Sequence, residues 1–142
     1  MGSEAPKRFV IDTNTLVSAF LFPSSIPGQV FEFIFSHHCA LMSMAVVAEL
    51  ADVLRREKFD RYVSRRRREE LIANTIRGSE FVDNLSTITV CRDATDNKFL
   101  ELAVDGKAEA IVTGDVDLLL LNPFQGIPIL TPRDFLLQFA AS

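Results

Sequence analysis

An α/β protein, with a mainly parallel sheet covered by helices on both faces, is what this sequence predicts. Short apolar runs of strand length alternate with segments of helical periodicity along the whole chain, which is the pattern of βαβ units. Acidic residues stand where those strands end or helices begin: Asp12 after Arg8-Phe-Val-Ile11, Glu49 early in a helix, Asp96 opening another, and Asp115 after Ala110-Ile-Val-Thr113. Open parallel sheets bind ligands beyond the carboxyl ends of their strands, so such residues are candidates for one shared site. The length of 142 residues, with 48% hydrophobic and 24% charged, suits one ordinary globular domain. It reads as a tail over 1–8 and a single domain over 9–142.

Taken in order, Phe9-Val-Ile11 reads as a buried strand and Leu16 to Leu21 as a short helix stopped by Pro23. After Pro27-Gly28, the segment Val30 to Phe35 is helical and Cys39-Ala-Leu-Met42 is a second strand. A helix from about Ala45 to Arg56 carries the apolar stripe Val46, Leu50, Val53 and Leu54. Ser64 caps a helix through Arg77, with Gly78 as its stop. The β-branched run Thr87-Ile-Thr-Val90 is expected as the next strand. Asp96 to Val104 is a helix ending near Gly106, and Ala110 to Thr113 a strand. Ile127-Pro-Ile-Leu130 suits an edge strand, because its proline has no N–H for a central ladder. Thr131 caps a last helix with Pro132 at its first position and Asp134 three residues after the cap.

The net charge of −4 gives no general basic field and argues against a protein that coats nucleic acid, though not against a nuclease. Cys39 and Cys91 form no CxxC pair, so a reduced, cytoplasmic setting is expected. No apolar run approaches the roughly 20 residues needed to span a bilayer, so no membrane partner is expected. The chain has no internal repeat, Walker loop, GxGxxG fingerprint or GxSxG elbow.

Each acid has a bland alternative. Asp12 suits a helix cap, and precedes Thr13-Asn14-Thr15, whose side chains can orient a carboxylate. Asp115 ends a strand in the same way, and two strand-terminal acids in one parallel sheet share an edge. On a helical wheel, Asp96 falls with Phe99, Leu100 and Ala103, with Lys98, Glu101 and Asp105 on the opposite, solvated side. A helix N-terminus gives a carboxylate only ~0.3–1 kcal/mol, less than burying it unpaired costs. Glu49 lies on the flank of its helix stripe and alone would pass for a surface residue. Four converging acids repel unless a cation compensates them, and hard oxygen ligands suit Mg²⁺ or Mn²⁺. Asp93 and Asp117 are candidates for water-mediated support, Asn14 and Asn97 for neutral oxygen ligands.

The string Val10-Ile-Asp-Thr-Asn-Thr-Leu-Val-Ser18 resembles the opening of PIN-domain ribonucleases. So do Glu49 in an early helix, Asp93-Ala-Thr-Asp-Asn-Lys-Phe-Leu-Glu-Leu-Ala103, and Ala110-Ile-Val-Thr-Gly-Asp-Val-Asp-Leu118. The ending Ile129-Leu-Thr-Pro-Arg-Asp-Phe-Leu136 is similar to the branch of toxins from bacterial toxin–antitoxin systems. The resemblance runs from about Phe9 to Phe139. It implies a three-layer α/β/α fold with a five-stranded parallel sheet of order 3-2-1-4-5. It implies catalytic, metal-binding positions at Asp12, Glu49, Asp96 and Asp115, with Asp117 as a frequent further ligand, and pocket-shaping positions at Thr13, Asn14 and Thr113. Many relatives carry another acid where this chain has Asn97. The activity implied is Mg²⁺- or Mn²⁺-dependent endoribonuclease cleavage, with RNA as substrate and an antitoxin protein as partner. A homo-oligomer is a further expectation.

Positive charge concentrates at Arg55, Arg56, Lys58 and Arg61 and then at Arg65, Arg66, Arg67 and Arg68. This run is a candidate RNA-contact ridge, set against the alternative of a solvated helix entry with Glu69 and Glu70 compensating. The 12 Phe residues recur with apolar periodicity and suit core packing, and His37 and His38 suit a helix end. Two other functions compete. An RNA- or protein-binding module with weak turnover would keep the acids. An aspartyl phosphatase would want a second acid two residues after Asp12, where Asn14 stands; a receiver domain lacks its lysine.

Overall fold

The computed structural model describes residues 5–83 and 86–141; the first four residues of the expected tail and Ser142 lie outside them. Five parallel strands, β1 (Arg8–Ile11), β2 (Cys39–Met42), β3 (Ser79–Phe81), β4 (Ala110–Val112) and β5 (Ile129–Leu130), form one sheet of order 3-2-1-4-5. The α-helices are α1 (Thr13–Leu21), α2 (Ile26–His37), α3 (Met44–Leu54), α4 (Arg65–Arg77), α5 (Asn97–Gly106), α6 (Val116–Leu119) and α7 (Pro132–Phe135). Consecutive strand residues point to opposite faces. Phe9 and Val10 are both fully buried, so both faces of the central strand are covered, as the continuous apolar run requires.

Local chemistry explains most boundaries. Asp12 caps α1 by accepting from Thr15 N–H, which starts that helix three residues before its apolar stripe. Ser43 and Ser64 cap α3 and α4. Thr131 caps α7 with Pro132 in its first turn, and Phe135 begins a π-turn over Leu136–Ala140. Most of the phenylalanines pack, with Phe22 and Phe81 exposed. Phe9 meets Phe135 at 4.9 Å and Phe139 at 5.0 Å, both edge-to-face, so the C-terminal segment is bolted to the central strand.

One strand is not where it was expected. The third strand is Ser79–Phe81, directly after α4, and residues 86–90 are irregular. The β-branched run is held instead by carboxylates of α5: Asp105 accepts from Ser86 N–H at 3.1 Å and Glu101 from Ile88 N–H at 3.0 Å. Those side chains satisfy amides that a sheet neighbour would otherwise take, so propensity was overridden by local acceptors. Near the other end of α5 the chain turns at Lys107, in the left-handed region at φ 55°, not at Gly106.

The arginine run is split in two. Arg65, Arg66 and Arg67 are exposed, but Arg68 is 1% exposed. Its guanidinium donates to the carbonyls of Leu54 at 2.7 Å, Arg56 at 3.0 Å and Val63 at 3.1 Å, and pairs with Asp60. Leu54 is the last residue of α3, where a carbonyl has no intrahelical partner. Arg68 is therefore a structural cap and not an RNA contact. Arg68→Met should lower unfolding free energy by about 3 kcal/mol, since several buried acceptors lose their donor. Urea melts check this; a loss below about 1 kcal/mol would place those carbonyls in water instead.

Candidate metal centre

The acids gather because of strand register. Ile11 pairs with Val112, and Asp12 N–H continues that ladder by donating to Val112 C=O at 3.0 Å. Thr113 N–H bonds Leu130 C=O at 2.9 Å in turn. Asp12 and Thr113 therefore leave the same edge side by side. The fully buried Thr113 hydroxyl donates to Asp12 Oδ2 at 2.5 Å and accepts from Asp115 N–H at 2.9 Å. With Thr15 N–H on Oδ1 at 2.9 Å, both Asp12 oxygens are engaged. Burial nonetheless pushes its pKa up, against the lowering effect of those hydrogen bonds.

The other acids arrive from separate elements. Glu49, on one face of α3, accepts from the Thr13 hydroxyl through Oε2. Asp96 closes a 3₁₀ turn over Ala94–Asp96 that runs into α5. Asp115 caps α6 by accepting from Asp117 N–H at 2.8 Å. Asp12, Thr13, Asn14, Glu49, Asp93, Thr95, Asp96 and Asp115 all line one cavity of about 190 Å³. Asp12, Asn14 and Asp115 are also a wall of a neighbouring depression of about 300 Å³, closed by Ser18, Pro27 and Pro132.

Some expected members stand elsewhere. Asp117 does not line the cavity and lies 3.9 Å from exposed Arg92. Asn97 is buried with its Oδ1 accepting from Cys91 N–H at 2.9 Å, so it anchors the preceding loop and offers no oxygen to the cavity. Asp93 lies at the rim and caps the 3₁₀ turn through Thr95 N–H at 3.0 Å.

Lys98 is the residue that the wheel misplaced. It belongs to the site, with its Nζ 2.8 Å from Glu49 Oε1 and its side chain 15% exposed. Lys98 lies inside regular α5, and a wheel places its backbone without saying where a long side chain ends. The long stem also lets the ammonium reach back over its own turn to the Thr95 carbonyl. No periodicity signal marks that reach.

Electrostatically the cavity is short of positive charge. Burial, and then the charge of Asp115 and its hydrogen-bonding contact, push Asp96 up to about 7. Its Oδ2 is buried without a partner among the described residues. Burial and the surrounding acids also raise Cys91 to about 11, so that thiol stays protonated near neutral pH. Among the described residues no three acidic, histidine or cysteine side chains already stand as a finished ligand set. The donor chemistry still fits a hard divalent cation: all oxygens, clustered carboxylates, and one buried oxygen lacking any donor.

A group whose folded pKa is raised favours the fold while protonated. The contribution of Asp96 is full below its ordinary value of 3.8 and is lost as pH rises through about 7. In EDTA, Asp96→Asn should therefore flatten the fall in melting temperature between these pH values, with Asp12 leaving a residual slope. At pH 8 the variant should melt at or above wild type, and Mg²⁺ should raise its melting temperature less. Paired melts decide: a variant that melts lower with and without metal would make Asp96 a structural cap.

Comparison with known proteins agrees with this architecture. Residues 8–117 match the PIN domain family. The uncharacterised protein MJ1680 of Methanocaldococcus jannaschii is 32% identical over 142 residues, spanning 93% of this chain and 91% of that protein. VapBC2 from Rickettsia felis, solved bound to a DNA fragment from their promoter, superposes with a TM-score of 0.59 at 13% identity, covering 87% of this chain and 98% of that one. PAE2754 from Pyrobaculum aerophilum gives 0.60 at 14% identity, covering 96% and 91%. The two structures share the fold, and the match over most of the length shows that this chain belongs to the PIN domain family.

Proposed function

We propose that this protein is a Mg²⁺- or Mn²⁺-dependent endoribonuclease whose substrate phosphodiester is hydrolysed at the cavity lined by Asp12, Glu49, Asp96 and Asp115. The observation that carries this reading is the convergence of these acids at one sheet edge, with a buried Asp96 oxygen lacking any donor. Asp12, Asp96 and Asp115 would hold the cation, with Glu49 facing them. A bound divalent ion would supply a Lewis acid for the phosphodiester and lower the pKa of attacking water.

The chain's own residues do the positioning. Thr15 N–H and the Thr113 hydroxyl fix both oxygens of Asp12, so its carboxylate cannot swing. The Thr13 hydroxyl orients Glu49. Burial and the charge of Asp115 raise Asp96 to about 7, so a cation would compete there with a proton near neutral pH. Asn14, exposed on the wall shared by both depressions, offers a neutral amide to a ribose or base.

The setting proposed is the toxin half of a toxin–antitoxin pair in the cytoplasm. VapBC2 shares the fold and was solved on promoter DNA. By analogy this chain would take a small DNA-binding antitoxin encoded beside it. A second reading, an RNA- or protein-binding PIN module with weak turnover, is favoured by the unfinished ligand geometry and by the lysine on Glu49. The aspartyl phosphatase reading fails on Asn14, whose carboxamide cannot act as a general acid.

Single-stranded RNA should be cut in Mg²⁺ or Mn²⁺ and left intact in EDTA. Undiminished cleavage in chelator ends the metal mechanism, and tight RNA binding without cleavage selects the binding module. Replacing Arg65, Arg66 and Arg67 with glutamine should weaken RNA binding and flatten its salt dependence, by roughly 0.7 in log–log slope for every phosphate that is no longer neutralised. Equal affinity and slope would return these arginines to solvated-surface status.

A further inference from the structure

Lys98 does not itself line the acidic cavity but is fixed behind it, against residues that do. Its ammonium carries three negative-end contacts: Glu49 Oε1 at 2.8 Å, the Thr95 carbonyl, and the face of Phe99 with its centroid at 5.2 Å. Glu49, Thr95 and Phe99 all line the 190 Å³ cavity. Surface lysines wander in water; this one is 15% exposed and its donors are directed.

The oxygens divide accordingly. Both oxygens of Glu49 are occupied, one by Lys98 and one by the Thr13 hydroxyl. Across the cavity Asp96 Oδ2 has no donor, and the Asp96 carboxyl lies against that of Asp115. Positive charge is thus in direct contact with Glu49, whereas Asp96 feels Lys98 only weakly, below the opposing effects of burial and Asp115.

We infer that Lys98 is a positioning residue that takes the place of a second metal ion, so that the site holds one divalent cation, at the Asp12–Asp96–Asp115 end. The inference rests on the metal-nuclease reading above. Two-ion sites place their cations roughly 3.5–4 Å apart to neutralise both sides of a phosphodiester. A fixed ammonium supplies the same sign of charge with half the magnitude. It also holds Glu49 as an orienting group and, unlike the neutral donors on Asp12, compensates its charge, which lowers the attraction of that carboxylate for a metal ion.

The test is the stoichiometry of Mn²⁺ binding to the purified chain without RNA, by calorimetry and by the electron paramagnetic resonance signal of unbound Mn²⁺. Wild type should bind one Mn²⁺. Lys98→Met keeps the stem over Phe99, frees Glu49, and should bind two, with the Mn²⁺ dependence of RNA cleavage changing from first to second order. Lys98→Arg should still bind one. Glu49→Gln is the second variant, in case Lys98→Met does not fold: it should still bind one ion with near-wild-type affinity, whereas a tenfold loss would make Glu49 a ligand. Two ions bound by wild type, or one by folded Lys98→Met, overturns the role of Lys98 while leaving the nuclease reading intact. One Mn²⁺ bound by wild type with RNA left uncut overturns the nuclease reading and not the stoichiometry.

Discussion

The site depends on the parallel register between β1 and β4. Pairing Ile11 with Val112 sends Asp12 and Thr113 out of the sheet as neighbours, and the Thr113 hydroxyl then serves two acids at once, donating to Asp12 and accepting from Asp115 N–H. Register in a strand buried on both faces is hard to shift, because a one-residue slip would turn every side chain to the wrong face. Backbone hydrogen bonds spread over the core thus fix carboxylates that would otherwise separate. Burial there, and then the charge of Asp115, raise the pKa of Asp96 to about 7.

Around that fixed pair the remaining groups are mounted on helices. Glu49 rides on α3 and Asp96 on the turn entering α5, so neither is part of the sheet. Two acids follow the central strands and two come from helical elements packed against that edge. Thr13 and Lys98 tie Glu49 to both sides, one from α1 and one from α5.

Much of this was legible in the residues. The alternation of strands and helices, the caps at Ser64 and Thr131, and the strand-terminal position of Asp12 and Asp115 all follow from local chemistry that sequence displays. What was hidden depended on long side chains and on contacts between distant segments. The Thr87–Val90 run looked like a strand because nothing local announces that Glu101 and Asp105 will take its amides. Four consecutive arginines looked alike, yet Arg68 alone of them meets the carbonyls of Leu54, Arg56 and Val63, up to 14 residues away, and is buried there. Asn97 stands where many relatives carry an acid and its side chain is spent on Cys91 N–H, while Asp117 matched the motif by spacing but does not line the cavity.

The aromatic bolt between the C-terminal segment and β1 bears on what counts as the smallest workable protein. The match to the PIN domain family spans residues 8–117 and ends before β5, α7 and the rings that pack on Phe9. A chain cut there would leave Ile111 and Thr113 N–H groups without the carbonyls of Pro128 and Leu130. Thr113 is the residue that steadies Asp12, so the frayed edge would reach the cavity at once. Motif and folding unit have different lengths in this protein: the last 25 or so residues carry none of the cavity's acids and act as a clamp without which those acids have no fixed address.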